Sequence, residues 1–462
     1  MHKNKLLKIS YLSKTNVEMK VNKSRAIIIA GIFSCMSVAA LAQEQEGGST
    51  IEQKIEQLET SVDNLSSSVG KLNKFKFSGY IQTDLQYGDK EASFKVGAGR
   101  FSEENTAIRF GVRRGRLKLT YSDNIRGVAS SAVLQVDITE KGVNIKDAYF
   151  SFTDPWVKMF SIQTGIFDRP FGNEISYSSS LRESPERSTG CQELFPGERD
   201  LGAMLVIAAP KNSALEGLKL ETGLFSGNGI ASASAGSNGT LDFKNKKDWI
   251  SHLSYKKSFD IVQFGLGTSF YYGGVIHGND TVFQMEDKRF VRVEDVKKGD
   301  YSQRMYWGID AQLFIATKLG MTNLRGEYII GNQPGTSSSF RSPNGNSVAT
   351  APIYRRDISS FYVILVQDFG NRHSLVLKYD QWNPNTKISG NEIKAPDNAR
   401  TGVRDVALSN FGFGYLFRLN TNIRLMAYYD MGMNETSDNM KSDGYDRKRM
   451  RDIITIRAQY KF

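Results

Sequence analysis

The chain has 462 residues, a formal net charge of +11 and 24% charged side chains. That density of charge excludes a helical membrane protein, which needs several apolar runs of about twenty residues. Residues 1–42 hold seven Lys/Arg against one Glu, leaving 53 basic and 48 acidic residues beyond them, so the basic excess gives no support to a nucleic-acid partner.

Residues 26–42 (AIIIAGIFSCMSVAALA) follow Lys20, Lys23 and Arg25 and end in Ala40-Leu41-Ala42. A positive start, an apolar run and an A-x-A end predict an export signal over 1–42, with Met19-Lys20 beginning a conventional signal by itself. Cys35 leaves with that signal and Cys191 remains alone, so no intrachain disulfide is expected. In the following segment, 43–74, Ile51, Ile55, Leu58, Val62, Leu65, Val69 and Leu72 recur at spacings of four and three. This heptad seam predicts a short periplasmic coiled coil. Its β-branched core positions favour two parallel strands, but a seam this short takes its stoichiometry from what it is attached to. The competing reading is an amphipathic helix packed on its own chain.

From Phe75 the period changes from 3.5 to 2, with apolar or small residues on one parity and mostly polar ones on the other. That is the pattern of strands between lipid and water, and it predicts a transmembrane antiparallel β-barrel over 75–462. Expected strands are 75–87, 107–121, 126–138, 143–152, 157–167, 201–209, 216–226, 247–257, 261–275, 303–316, 321–331, 356–368, 373–382, 405–418, 422–431 and 450–462. Short connections at 122–125, 153–156, 258–260, 369–372 and 419–421 alternate with long ones. The exception is 139–142, a short connection on the long-loop side. About sixteen strands, an even number, return both termini to the periplasmic side. The final strand runs Ile454-Thr455-Ile456-Arg457-Ala458-Gln459-Tyr460-Lys461-Phe462 and stops on an aromatic. This resembles the C-terminal signal read by barrel-assembly machinery, and closure against the first strand would remove an aggregation-prone edge.

The parity opposite the lipid face lines the lumen. It carries Lys76, Arg109, Arg113, Lys219, Lys256, Arg304, Arg325, Lys378, Arg424, Arg457 and Lys461 against Asp84, Asp137, Glu221, Asp310, Glu327, Asp380 and Asp430. A modest positive excess favours anions. In strand 107–121 the apolar parity is even at Ile108, Phe110 and Val112 but odd at Leu117, Leu119 and Tyr121. One extra residue is required, so a β-bulge is expected at Arg113-Arg114-Gly115, with both arginines facing the lumen. Continued by Arg116 and Lys118, that cluster is a candidate site for a phosphate or carboxylate, which arginine forks bind bidentately.

The motifs FGVRRGRL (110–117), LQVD (134–137), GIFDRPFG (165–172), SPERS (184–188) and GERDLG (197–202) resemble those of the phosphate-selective porin O and P family. The resemblance is specific over about 75–210 and architectural beyond. It implies a homotrimer of sixteen-stranded barrels in the bacterial outer membrane. It also implies an anion pathway, with Arg113 and Arg114 at the central site and Asp137 beside it. By length and by resemblance, loop 168–200 should fold into the lumen and narrow it, with Arg169, Arg182, Arg187 and Arg199 near the path. Those loop arginines can instead pair with Glu183, Glu186 and Glu198. Phosphate-specific members carry lysines after the Pro-Phe-Gly motif, whereas residues 173–181 (NEISYSSSL) hold none. His252, His277 and His373 show no metal-ligand spacing or nucleophile partner, so no enzyme, metal or cofactor is expected. The expected function is diffusion of small hydrophilic, preferentially anionic solutes, with phosphate among the candidates. The alternative is an adhesion or envelope-tethering protein that uses the coiled coil and the long loops.

Overall fold

The computed structural model describes residues 51–97, 107–234, 237–239, 241–342 and 348–462. The expected export signal at 1–42 and residues 43–50 lie outside them. The chain divides after Leu72 into two units, two residues before the boundary expected from the change of period.

The first unit contributes helix α1 (Ile51–Leu72), which ends with Lys71 in its last turn, where a cation suits the negative end of the helix dipole. Its seam residues Ile55, Leu58, Val62, Leu65, Val69 and Leu72 are all exposed.

In chain order the second unit contains β1 (Phe75–Gly88), β2 (Ile108–Ile125), β3 (Val128–Thr139), β4 (Gly142–Thr153), β5 (Phe160–Asp168), helix α2 (Thr189–Leu194), β6 (Arg199–Ala208), β7 (Leu218–Phe225), β8 (Ala231–Ser234) and β9 (Ser237–Gly239). It continues with β10 (Asp248–Ser258), β11 (Val262–Ile276), β12 (Val282–Glu286), β13 (Arg289–Arg292), β14 (Tyr301–Ala316), β15 (Met321–Gly335) and β16 (Ile353–Phe369). β17 (His373–Asn383), β18 (Leu408–Arg418), β19 (Ile423–Asn434) and β20 (Ile453–Lys461) complete it. Sixteen of these pair antiparallel in an unbroken ring, and β8, β9, β12 and β13 belong to two hairpins in the long connections. β1 closes on β20 from Tyr80↔Lys461 to Gly88↔Ile453. Gly79 and Phe462 exchange two further backbone hydrogen bonds of 3.0 Å. Every wall strand is thereby paired on both sides, which is what a strand needs in a solvent that offers no hydrogen bonds.

The period-2 reading holds along the wall. In β20, Ile454, Ile456 and Tyr460 are exposed, while Thr455, Arg457 and Gln459 are buried inside. Exposed aromatics gather at both ends: Phe75, Phe77, Trp156, Phe259, Phe369 and Phe462 near the short turns, Trp249, Tyr272 and Trp307 toward the long loops. An apolar exterior between two aromatic girdles, closed on a polar interior, is the construction of a bacterial outer-membrane barrel, and the barrel lies in that membrane.

Two corrections concern local geometry. The first turn was expected at 122–125, but those residues continue β2, and the reversal falls at Arg126-Gly127 with φ of 52° and 87°. A two-residue hairpin of this hand needs positive φ at both central positions, and Gly127 satisfies one of them without strain. β4 also carries a bulge, since Gln135 pairs with Asp147 and Val136 with Ile145, leaving Lys146 unopposed.

The principal core lies inside the barrel. Phe167, Phe171, Ile175, Cys191, Leu194 and Phe195 pack with the inward residues Tyr271, Tyr306, Ile329 and Trp382 of the wall. Phe171 and Phe195 have ring centroids 4.9 Å apart, and Phe195 meets Tyr306 edge-on at 5.9 Å.

Candidate functional site: a constriction built from one in-folded segment

The segment between β5 and β6 folds into the lumen. It turns inward at Gly172, whose φ of +60° suits glycine and whose missing side chain makes room for the Glu327 carboxylate. α2 then packs so closely on β16 that a Cβ at Gly190 would collide with the Ser360 hydroxyl. The Thr189 amide donates to Asp380 Oδ1 at 3.0 Å.

Between 179 and 186 the wall holds this segment by its main chain. Gln82 Nε2 donates to the Ser179 carbonyl at 3.0 Å, and Gln459 Nε2 to that of Ser180 at 3.1 Å. Arg424 reaches the carbonyls of Leu181 and Arg182, each at 3.1 Å. Arg457 Nη1 reaches that of Pro185 at 3.0 Å, and Lys378 Nζ that of Glu186 at 3.2 Å.

The bulge expected in β2 is present. Gln82 pairs with Arg114 and Thr83 with Val112, so Arg113 is the extra residue. Gly115 is required beside it, because a side chain there would strike the Ile138 carbonyl. Both arginines turn inward and meet one carboxylate. Arg113 grips Glu186 with Nε and Nη2 at 2.6 and 2.9 Å, and Arg114 Nη2 adds a third contact at 2.9 Å. Burial alone would raise the Glu186 carboxyl, yet Arg113 and Arg114 outweigh it and hold the group well below the usual carboxylate range. Neighbouring Arg457 is paired with Asp84 at 2.7 and 2.8 Å. The arginine pair is thus two positive charges offset by one negative.

The other expected residues divide between this cluster and an adjoining cavity of about 460 Å³. Asp137 sits beside the bulge, accepting from the Gly115 amide at 3.0 Å and lying 3.5 Å from Arg116 Nε. Arg116, Lys118, Arg169, Arg187 and Arg199 line the cavity, whereas Arg113, Arg114 and Asp137 do not. Arg187 and Arg199 pair with Glu198, and Arg199 also reaches Asp147 and Asp168, both at 3.0 Å. Arg169 instead donates to the carbonyls of Glu198 and Pro196 and lies 5.2 Å over the Phe195 ring. Glu183 takes Arg325 of β15 and the Tyr177 hydroxyl.

In all, the cavity is bordered by eight Lys/Arg and four Asp/Glu. Among the described residues Lys118, Lys256 and Lys461 have no ion-pair partner. His252, not expected at the site, lies 2.9 Å from Asp310 and 3.8 Å from Glu221 on its wall. Its sequence signal was the inward parity it shares with Ser254 and Lys256.

No protein-family description matches this chain, and no curated protein matches it. Solved structures do. OprB of Pseudomonas putida, in its high-pH structure, aligns with a TM-score of 0.53 at 8% identity, over 87% of this chain and 97% of that one. OmpT of Vibrio cholerae, in a trimer form, aligns at 0.47 and 10% identity over 84% and 99%. A double mutant of the Rh. blastica porin aligns at 0.46 and 10% over 84% and 100%. At this identity the likeness to OprB is one of fold.

Proposed function

We propose that the protein is an outer-membrane channel through which small hydrophilic solutes diffuse, with anions favoured and phosphate among the candidate solutes. The observation that carries this reading is the cationic border of the 460 Å³ cavity, where Lys118, Lys256 and Lys461 stand without a carboxylate partner. An unpaired charge about 5 Å from a passing ion is worth about 3 kcal/mol at an effective dielectric near 20, against about 0.8 kcal/mol in bulk water. Lys118 is half-buried and Lys256 and Lys461 are exposed, so their pull on an anion lies between these limits, and unpaired lysines lower the barrier for anions more than paired arginines do. Arg116, Arg169, Arg187 and Arg199 frame the same path, with the Arg113–Arg114 pair at its narrow side. No reaction is required of any of them. In this reading barrel-assembly machinery inserts the exported chain after reading Phe462. The chain works as a homotrimer, as the resemblance over 75–210 implies, with the α1 seams paired between copies as a coiled coil.

The test is the reversal potential in a planar bilayer under asymmetric potassium chloride. Wild-type protein should pass current without ligand and prefer chloride. The triple variant Lys118→Gln, Lys256→Gln, Lys461→Gln should move the permeability ratio toward unity. Repeating the measurement with added phosphate tests whether that ion competes. A wild type that carries no current, or one that prefers potassium, overturns the reading.

A further inference from the structure

We infer that the in-folded segment carries a second anion site, separate from the permeation path, in which Arg182 and Lys378 hold a monatomic anion of the halide class. Arg182 is 4% exposed, and among the described residues none of Nε, Nη1 and Nη2 has a hydrogen-bond partner. The side chain borders a cavity of about 20 Å³ together with Ser184, Tyr177, Arg325, Lys378 and Glu174.

A buried guanidinium with no hydrogen bond is costly, and arginine cannot escape the cost by releasing its proton. Burial, and then the nearby guanidinia of Arg187 and Arg114, act against its charge. Each carboxylate within reach is engaged elsewhere. Glu186 is bound by Arg113 and Arg114, and Glu198 by Arg187 and Arg199. Glu183 is bound by Arg325 and Tyr177. Glu174, the one acid on the cavity wall, accepts the Ser188 amide at 2.7 Å and hydroxyl at 2.5 Å. Lys378 Nζ donates one hydrogen bond to the Glu186 carbonyl, and its nearest carboxylate, Asp380, is 3.7 Å away. Arg182 and Lys378 are therefore cations with donors to spare.

The size of the cavity selects the occupant. A space of about 10–15 Å³ accepts one water molecule, so this cavity of about 20 Å³ favours a single small species over phosphate or a carboxylate. Water would leave the charge uncompensated, whereas a halide meets both the charge and the donors. Such an ion would bridge Arg182 of the segment to Lys378 of β17 and so fasten the constriction to the wall.

The site is tested by binding rather than by conduction, so it stands or falls apart from the channel reading. Crystals of the full-length protein grown in sodium bromide should show an anomalous peak within hydrogen-bond distance of the Arg182 guanidinium and Lys378 Nζ. Arg182→Gln should abolish that peak. In solution the wild-type melting temperature should be higher in sodium chloride than in sodium gluconate of equal ionic strength, because gluconate is too large to enter. That difference should vanish in Arg182→Gln, or in Lys378→Met where the first variant does not fold. Bromide found only in the large cavity, water density at Arg182, or equal wild-type melting in the two salts overturns the proposal.

Discussion

At the scale of single residues, the net charge of the Arg113–Arg114 pair turns on Glu186. Removing it by Glu186→Gln leaves Arg113 and Arg114 uncompensated and makes the lumen more positive, so chloride preference should rise. Breaking a buried pair by removing one partner also costs about 3 kcal/mol, to be read as a lower urea midpoint. The double variant Arg113→Ala, Arg114→Ala should act in the opposite direction, because Glu186 is then left facing Arg457 alone, 3.7 Å away. The two variants should bracket the wild-type reversal potential. Values that coincide with wild type in both cases would take the arginine pair off the conduction path. The pair's inward direction was legible, since a parity change inside one strand demands an extra residue and Arg113-Arg114-Gly115 was where it fell. The offsetting of half its charge was not, because Glu186 lies 73 residues from Arg113 and meets it only when the segment turns inward. The same parity change, between Ile145 and Phe150, marks the bulge at Lys146, and that signal was equally present in the sequence.

At the scale of elements, the sixteen strands were legible because each alternates lipid-facing and lumen-facing residues, with one change of parity inside β2 and one inside β4. What alternation does not report is the exact turn, which is why the reversal at Arg126-Gly127 was displaced from 122–125. Closure of the ring makes β20 testable. Deleting Phe462 removes two backbone hydrogen bonds to Gly79 and a ring stacked 6.1 Å from Phe77. Unfolded protein should accumulate in the periplasm, seen as loss of the heat-modifiable band on gels. The in-folded segment has its own reporter. Cys191 is buried in the interior cluster, and burial pushes its thiol well above the ordinary value. It should resist maleimide in the folded protein and react once α2 is forced from β16. Gly190→Val supplies that force through the Ser360 contact, and labelling at the wild-type rate would show that α2 is not seated there.

At the scale of the whole molecule, orientation follows from loop length, with short turns and both barrel ends of the chain on one side. Cysteine introduced for Ser338 in a long connection should be labelled on intact cells by an impermeant thiol reagent, and cysteine for Asn371 in a short turn should not. The reverse pattern would invert the barrel. Helix and barrel are separate units, so deleting 51–72 should leave single-channel conductance unchanged while lowering the temperature at which oligomers dissociate on gels. An unchanged dissociation temperature would deny the α1 seam a part in assembly.

The wall grips the in-folded segment through the carbonyls of Ser179, Ser180, Leu181, Arg182, Pro185 and Glu186 as well as through the Ser179 hydroxyl and the Glu183 and Glu186 carboxylates. A carbonyl is the same whatever residue bears it, so Gln82, Gln459, Arg424, Arg457 and Lys378 recognise a path of backbone and are indifferent to much of what that path displays. Mutation at Ser180 and Leu181, which the wall holds by their carbonyls, can therefore retune what the channel admits while the scaffold that seats them stays in place, giving natural variation an interchangeable filter within a fixed frame.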